Sequence, residues 1–405
     1  MFHSGELAGK REAMYFDYTP EQKALRDELR AYFDELITDE LLAELDEMEG
    51  GGPLYHQAMQ QLGADGWLGI GWPKEHGGQG RGPIEQFIFF DEVQRAGFPV
   101  PILTLNTVGP TLLKFGTEEQ KAKYPPKILE GKCHFSIGYT EPQSGTDLAS
   151  LKTSAVRDGD HYIINGQKIW TSLADHADYM WLACRTDPDA PPHKGISIII
   201  VPADAEGVQI TPMHALGENN VHAVYYDNVR VPVENLVGGE NEGWHLITTQ
   251  LNHERVALCS VGPLEKICTE TIEWAKKTPS GDGGMIIDLP WVKTNLARVY
   301  AKLEVLKLLN WQQAWGIAAD TLSPADASAI KVFGSEFYVE GSRLLMEVHG
   351  AAGVLHHSSE GALLRGRLEK YYRMSLVLTF GGGTNEIQRD IICQAGLRMP
   401  RLGRR

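Results

Sequence analysis

The hydrophobic periodicity changes twice along this chain, and that change restricts the fold more than any single motif. Leu25, Leu29, Tyr32, Phe33 and Leu36 recur with the spacing of one helix face. From about 135 to about 240 the pattern alternates instead, as strands require. Tyr179–Arg185, Ile196–Val201, Val208–Thr211 and Val224–Val231 read as strands, punctuated by Pro202, Pro212 and Pro232. From 243 onward helical spacing returns in Trp244–Ala275, Val292–Ala319 and Ala327–Gly350, and Asn385–Gln394 reads as the last helix. The expected fold is mainly α with a central β-domain, its last block an up-and-down helical bundle. The expected division is an extension (1–14), an N-terminal helical domain (15–134), a middle β-domain (135–242) and a C-terminal bundle (243–405).

Local signals agree with this order. Thr19-Pro20-Glu21-Gln22 and Thr117-Glu118-Glu119-Gln120 have the form of helix starts, with Thr as cap and Gln at the capping-box position. Asp158-Gly159-Asp160 and Asn165-Gly166 read as hairpin turns. The glycine-rich Gly66–Gly82 stretch does not complete GxGxxG and lacks a strand-then-helix setting, so it reads as a loop.

Composition removes several function classes. A net charge of −15 disfavours sequence-independent nucleic-acid binding, which needs Lys and Arg against phosphates. Cys133, Cys184, Cys259, Cys268 and Cys393 show no CxxC spacing, which argues against a zinc site or a disulfide framework and suits a reducing compartment. Glu6 and Glu12 interrupt an N-terminus without a long apolar run, so neither a signal segment nor a membrane anchor is expected, and the expected location is cytoplasmic. HExxH, GxxxxGK[ST] and GxSxG are absent, and nothing near His356-His357 in sequence completes a metal site.

Three stretches carry candidate chemistry. Phe135–Ser150, FSIGYTEPQSGTDLAS, is a short apolar strand that breaks into a hydroxyl-rich loop containing glycine. Such a loop suits a phosphate-bearing ligand, although Ser, Gly, Thr and Asp are also ordinary turn residues. Asn165–Ser172, NGQKIWTS, presents a Trp and two hydroxyls. Thr379–Arg389, TFGGGTNEIQR, is a sharp glycine turn before a short helix.

Together these stretches resemble the acyl-CoA dehydrogenase family over nearly the whole chain, including Trp72-Pro73-Lys74-Glu75 before Gly77-Gly78. The resemblance implies FAD as cofactor and an acyl-CoA thioester as substrate. It implies that Tyr139 and Thr140 border the flavin, that Trp170 packs on it, and that Ser172 bonds near its reactive nitrogen. Tyr139 stands where the family more often has an aliphatic residue. Thr146 would lie near the FAD phosphates and the incoming thioester tail, and Thr384 and Glu386 match positions at the cofactor. In straight-chain members a Glu directly precedes the Gly-Thr of the third stretch and removes the α-proton; here that place is Gly382.

The isovaleryl-CoA and long-chain dehydrogenases carry the base elsewhere, in a helix immediately before an Arg. Leu251-Asn252-His253-Glu254-Arg255 matches that pattern, continued by Gly262-Pro263-Leu264. Taken alone, Glu254-Arg255 reads as a solvated charge pair on a helix. The resemblance makes Glu254 the general base, places Asn252 and Arg255 along the pantetheine passage, and puts Gly382 and Gly383 beside the thioester. His253 is the nearest titratable rival.

Two family features are missing. Residues 276–291 hold no Arg-x-x-Phe-Gly, and Glu347 stands where a Gln normally precedes the Gly350–Gly353 turn. Those groups serve a neighbouring subunit's FAD, and an acid near pyrophosphate is unfavourable. A second, related subunit is therefore expected to complete the FAD site. LNHERVAL, EVLKLLNW and LTFGGGTNEIQRDII resemble the α subunits of actinobacterial α2β2 dehydrogenases acting on steroid side-chain CoA thioesters. The implied reaction is α,β-dehydrogenation to the trans-2-enoyl-CoA, with electrons passed to an electron-transfer flavoprotein. The rivals are a catalytically silent scaffold subunit, a flavin oxidase on the same fold, and a helical interaction protein without cofactor.

Overall fold

The computed structural model describes residues 17–218, 220–254, 259–281 and 283–400, with the side chains of 251–254 outside that set. Helix α1 (Pro20–Leu36) starts at the expected capping box: Gln22 N–H donates to Thr19 Oγ1 at 3.3 Å, and Thr19 N–H donates to Gln22 Oε1 at 3.1 Å. Leu25, Leu29 and Phe33 of its apolar face are buried. Helices α2 (Asp39–Glu47), α3 (Pro53–Ala64) and α4 (Pro83–Ala96) follow. A π-helical turn, Thr104–Val108, then leads into α5 (Gly109–Phe115). Helix α6 (Glu118–Lys123) carries the second expected capping box, Thr117 with Gln120, and α7 (Pro125–Leu129) ends the first helical block.

The middle block is one sheet of β1 (Phe135–Gly138), β2 (Ser154–Asp158), β3 (His161–Ser172), β4 (Tyr179–Arg185), β5 (Ile196–Pro202), β6 (Val208–Met213), β7 (Val221–Pro232) and β8 (Leu236–Val237). Its order is β6-β7-β3-β2-β4-β5-β8, with β1 paired to β4 in parallel. Both faces of β4 and β5 are apolar, and the period of two explains why. Trp181, Ala183, Ile198 and Ile200 enter a core shared with the N-terminal helices, whereas Met180, Leu182, Cys184, Ile199 and Val201 enter the sheet's own core.

The last block contains α8 (Gly243–Glu254), α9 (Gly262–Lys277), α10 (Pro290–Ala318), α11 (Pro324–His349), α12 (Arg367–Ser375) and α13 (Asn385–Ile391). Helices α9, α10, α11 and α12 share a core that includes Leu264, Ile267, Val299, Leu303, Phe337 and Leu368. Helix α13 is shorter than the expected Asn385–Gln394 and passes into a π-turn, Ile392–Gly396.

Two local expectations are corrected. Trp244–Ala275 is not one helix: α8 ends at Glu254 and α9 starts at Gly262, with Pro263 in its first turn. Proline lacks an N–H and blocks a preceding helical turn, so apolar spacing continues through a break that the backbone cannot bridge. Asn165-Gly166 is not a hairpin turn but lies inside the continuous strand β3, opposite a bulge of β7 at Asp227-Asn228. Gly166 has φ +153°, and a Cβ there would lie 2.5 Å from Thr153 Oγ1, so close backbone approach, not chain reversal, calls for the glycine. Asp158-Gly159-Asp160 does turn the chain between β2 and β3.

Candidate functional site

Strand β1 ends at Gly138, and the loop after it is held by one buried charge pair. Glu141 is 2% exposed and Lys168 fully buried, with Lys168 Nζ 2.8 Å from Glu141 Oε1. Lys168 Nζ also donates to the Tyr139 carbonyl at 3.0 Å. Glu141 further accepts from the backbone N–H groups of Lys152 (2.7 Å) and Thr153 (2.8 Å) and from Gln143 Nε2 (2.6 Å). Burial opposes both charges, yet the Lys168 ammonium and these N–H donors hold the Glu141 carboxyl below the ordinary carboxylate range. Mutual backbone bonds of 3.0 Å between Glu141 and Ser144 close the loop.

This anchoring lays the first and second stretches side by side. Ile169 N–H donates to the Thr140 carbonyl at 2.9 Å, and Ser136 Oγ donates to the Ser172 carbonyl at 2.8 Å. Trp170 lies between them in a bulge of β3, where the pairing to β7 shifts between Lys168 and Thr171. Its φ is +59°, a region bulky residues avoid, and 53% of its surface is exposed. A large aromatic held outward on strained backbone offers a stacking face. Ser172 and Thr146 are exposed as well, and Thr140 is half-buried. The structure thus gathers Tyr139, Thr140, Trp170 and Ser172 into one patch bordered by the loop that carries Thr146.

Tyr139 connects this patch to α8, the helix that carries Glu254. Its hydroxyl donates to Gln250 Oε1 and accepts from Trp181 Nε1 at 3.2 Å. Gln250 is 1% exposed and lies one turn before Glu254 on α8. An aliphatic residue at 139 has no group for this bond. Glu254 is the last described residue of α8; the side chains of Asn252, His253 and Glu254, and the whole of Arg255, lie outside the described residues. The chain is clamped again just beyond. Asp91 Oδ1 of α4 accepts from Ser260 Oγ, Val261 N–H and Gly262 N–H at 2.5, 2.9 and 3.0 Å, and Asn310 Nδ2 of α10 donates to the Cys259 carbonyl at 2.8 Å.

The third stretch is built separately. Gly382 and Gly383 have φ +66° and +92°, which side-chain-bearing residues rarely adopt. Lys331 of α11, 5% exposed, donates to the Gly383 carbonyl at 2.7 Å and to Asn385 Oδ1 at 2.8 Å. Thr384 caps α13 by accepting from Ile387 N–H at 3.2 Å, and Glu386 faces solvent. Among the described residues, no hydrogen bond links this turn to β1 or β3. At the other departure from the family pattern, Glu347 is held by Arg343 and by Asn295 Nδ2 at 2.9 Å.

Sequence reasoning missed Glu141, Lys168, Gln250 and Lys331 as organising residues. Lys168 carried a signal: it shares the inward parity of Tyr162 and Ile164 on β3, and a lysine there needs a buried acid. It also missed a partner for the histidine pair. Glu218, from the loop before β7, places Oε1 2.9 Å from His356 Nε2, and ligand-type atoms of Glu218, His356 and His357 lie within 4.8 Å of one another. Arg373 is 3.2 Å from the other Glu218 oxygen and already balances its charge. The 138 residues between Glu218 and His356 hid the group from spacing arguments.

Comparison with known proteins gives three family matches along the chain. Residues 19–132 match the acyl-CoA dehydrogenase N-terminal domain, 136–229 its middle domain and 241–397 its C-terminal domain. Acyl-CoA dehydrogenase FadE26 of Mycobacterium tuberculosis is 54% identical over 400 residues, covering 96% of this chain and all of the relative. Acyl-CoA dehydrogenase FadE29 of the same organism is 50% identical over 392 residues, with the same coverage. Among solved structures, a chain of the ChsE4-ChsE5 complex from M. tuberculosis superposes with TM-score 0.91 at 55% identity, covering 96% of this chain and 100% of that one. A chain of the Tcur3481-Tcur3483 steroid ACAD gives TM-score 0.91 at 51% identity with the same coverage. No helix among the described residues is long and apolar enough to cross a membrane.

Proposed function

This chain belongs to the acyl-CoA dehydrogenase family and is an acyl-CoA dehydrogenase; from that premise we propose that it uses FAD, with Glu254 as general base. The observation that carries this is the tie from Tyr139 to Gln250, which joins the patch around Trp170 to α8 one turn before Glu254. The residues present fit a flavin. Trp170 offers an exposed aromatic face on strained backbone, and Thr140 and Ser172 offer hydroxyls beside it.

Bound there, FAD supplies the hydride acceptor. The chain's own groups do the rest. Glu254 takes the α-proton of the thioester. The Gly382 N–H, set in a left-handed turn, stabilises the charge that grows on the thioester oxygen. Trp170, Thr140 and Ser172 would hold the flavin ring, and Thr146, Thr384 and Glu386 the more polar parts of the cofactor. Asn252 and Arg255 line the path of the pantetheine, with Gly383 at its inner end.

The FAD site is shared with a second dehydrogenase-like subunit, in an α2β2 assembly. The absent Arg-x-x-Phe-Gly, and an acid at 347 already engaged by Arg343 and Asn295, support this reading. The similarity to chains of two-component complexes, one of them named a steroid ACAD, supports both the assembly and a steroid side-chain CoA ester as substrate. Electrons leave to an electron-transfer flavoprotein.

The test is anaerobic bleaching of the flavin in the two-subunit complex by steroid, branched and long-chain acyl-CoA thioesters. Glu254→Gln should keep the flavin and lose about 10²-fold or more in reduction rate. An unchanged rate would remove Glu254 as base and favour a silent scaffold. Stoichiometric FAD and full activity in the solitary chain would remove the shared site, and rapid turnover on oxygen would point to an oxidase.

A further inference from the structure

A cavity of about 640 Å³ lies between the N-terminal helices and the start of α11. Trp72, Gln86, Asn106, Leu113, Ile317 and Ala327 are on its wall. Its surface-facing side carries Lys114 and Asp320, both exposed, whereas Trp72 and Asn106 are each 3% exposed. Trp72 has its indole N–H satisfied by the Leu105 carbonyl at 3.0 Å, so it offers only its ring.

Asn106 is the anomaly. Its Oδ1 accepts from Gln86 Nε2 at 3.0 Å, but its Nδ2 is buried and donates to nothing. Leaving a buried amide donor unpaired costs about 1–3 kcal/mol, so such groups usually await a partner. Asn106 lies at the centre of the π-turn Thr104–Val108, and its neighbour Thr107 has an unpaired buried hydroxyl as well. Widened turns of this kind are frequent at functional sites.

The cavity is flanked by the two segments assigned to the reaction. The π-turn packs against α8, which ends at Glu254. Ala327 stands one helical turn before Lys331, which holds the Gly383 carbonyl.

We propose that this cavity receives the far end of the acyl group, and that Asn106 Nδ2 donates a hydrogen bond to an acceptor oxygen, a ketone or ether, on that end. The substrate class is therefore a bulky, largely apolar acyl thioester with a distal acceptor. The assignment to the acyl group rests on the function proposed above; the binding chemistry of the cavity does not.

The test uses the flavin-loaded two-subunit complex and two CoA-free probes of one shape, 2-decalone and decalin, followed by ligand-observed NMR. The complex should bind the ketone about tenfold or more tightly than the hydrocarbon, the ratio one satisfied buried donor gives. Asn106→Leu should level the two while retaining decalin binding. Asn106→Asp, which keeps an acceptor for Gln86 but removes the donor, should also abolish the ketone preference. Equal affinity for both probes in the unaltered complex, binding of neither, or a preference that survives both substitutions overturns the proposal. In a competition arm, a thioester with a distal ketone should displace 2-decalone, also in the Glu254→Gln complex. Displacement without flavin reduction in the unaltered complex would count against the dehydrogenation reading alone. Reduction without displacement would count against the cavity alone.

Discussion

Replacing Lys168 with Met tests whether the flavin loop depends on one buried charge. The pair is 2.8 Å apart, with partners 0% and 2% exposed in their side chains, so water screens neither. Met matches the length of the Lys stem but leaves the Glu141 carboxylate without its counter-charge, and the Tyr139 carbonyl without one donor. Breaking a buried pair from one side costs about 3–5 kcal/mol. Three N–H donors remain on Glu141, which places the expected loss near the lower end, about 3 kcal/mol.

The loss should depend on pH in a definite direction. In the unaltered protein Glu141 is held below its ordinary value of 4.5, so its contribution is present above about pH 4.5 and disappears as pH falls through the folded value. In Lys168→Met the burial remains and the attraction is gone, which favours the protonated acid. The difference between variant and parent should therefore be largest at neutral pH and shrink on acidification. The assay is the temperature at which the complex releases its flavin, followed by flavin fluorescence from pH 7.5 to pH 5, with Glu141→Gln as the reciprocal variant, which leaves the Lys168 ammonium without its counter-charge. A Lys168→Met complex that holds its flavin as tightly as the parent at pH 7.5, or whose deficit grows as pH falls, would refute the reasoning.

Two further outcomes follow from the geometry. Trp170→Gly should relieve the positive-φ strain, raising or preserving β-domain stability by about 1 kcal/mol while perturbing the flavin absorption envelope; a destabilised domain with an unchanged flavin spectrum would contradict the stacking role. Lys331→Met should free the Gly383 carbonyl and Asn385, lowering the reduction rate about tenfold or more with flavin content retained; unchanged stopped-flow kinetics would show that the turn needs no such anchor.

Much of the fold was legible because its signals are local. Thr19 and Thr117 cap the helices that the capping-box spacing predicts, since each bonds a Gln only three residues on. The strands expected at Tyr179–Arg185 and Ile196–Val201 appear as β4 and β5, because each is a short apolar run bounded by turn residues. Errors came where a local signal served a distant contact. Gly166 has the form of a turn residue because glycine permits turns, but its place is set by Thr153, just before β2. The run Trp244–Ala275 kept helical spacing across a break that Pro263 imposes and that Asp91, on another helix, secures. The candidate site was less legible. Its motif residues could be named from their order, but the groups that hold them could not. Lys168 is 27 residues from Glu141, and Gln250 is 111 from Tyr139, distances at which spacing carries no information.

The charge pair beneath the flavin loop also sets an order of events during synthesis. Lys168 sits on β3, whose other edge is completed by β7, with Lys168 opposite Val224. The ammonium that fixes Glu141 is buried only when a strand ending at Pro232 has docked. A nascent chain extruded as far as the flavin loop therefore has the recognition residues but not their final arrangement, because domains emerge and fold from the N-terminal side. The loop therefore reaches its final arrangement only after roughly ninety further residues have cleared the ribosome.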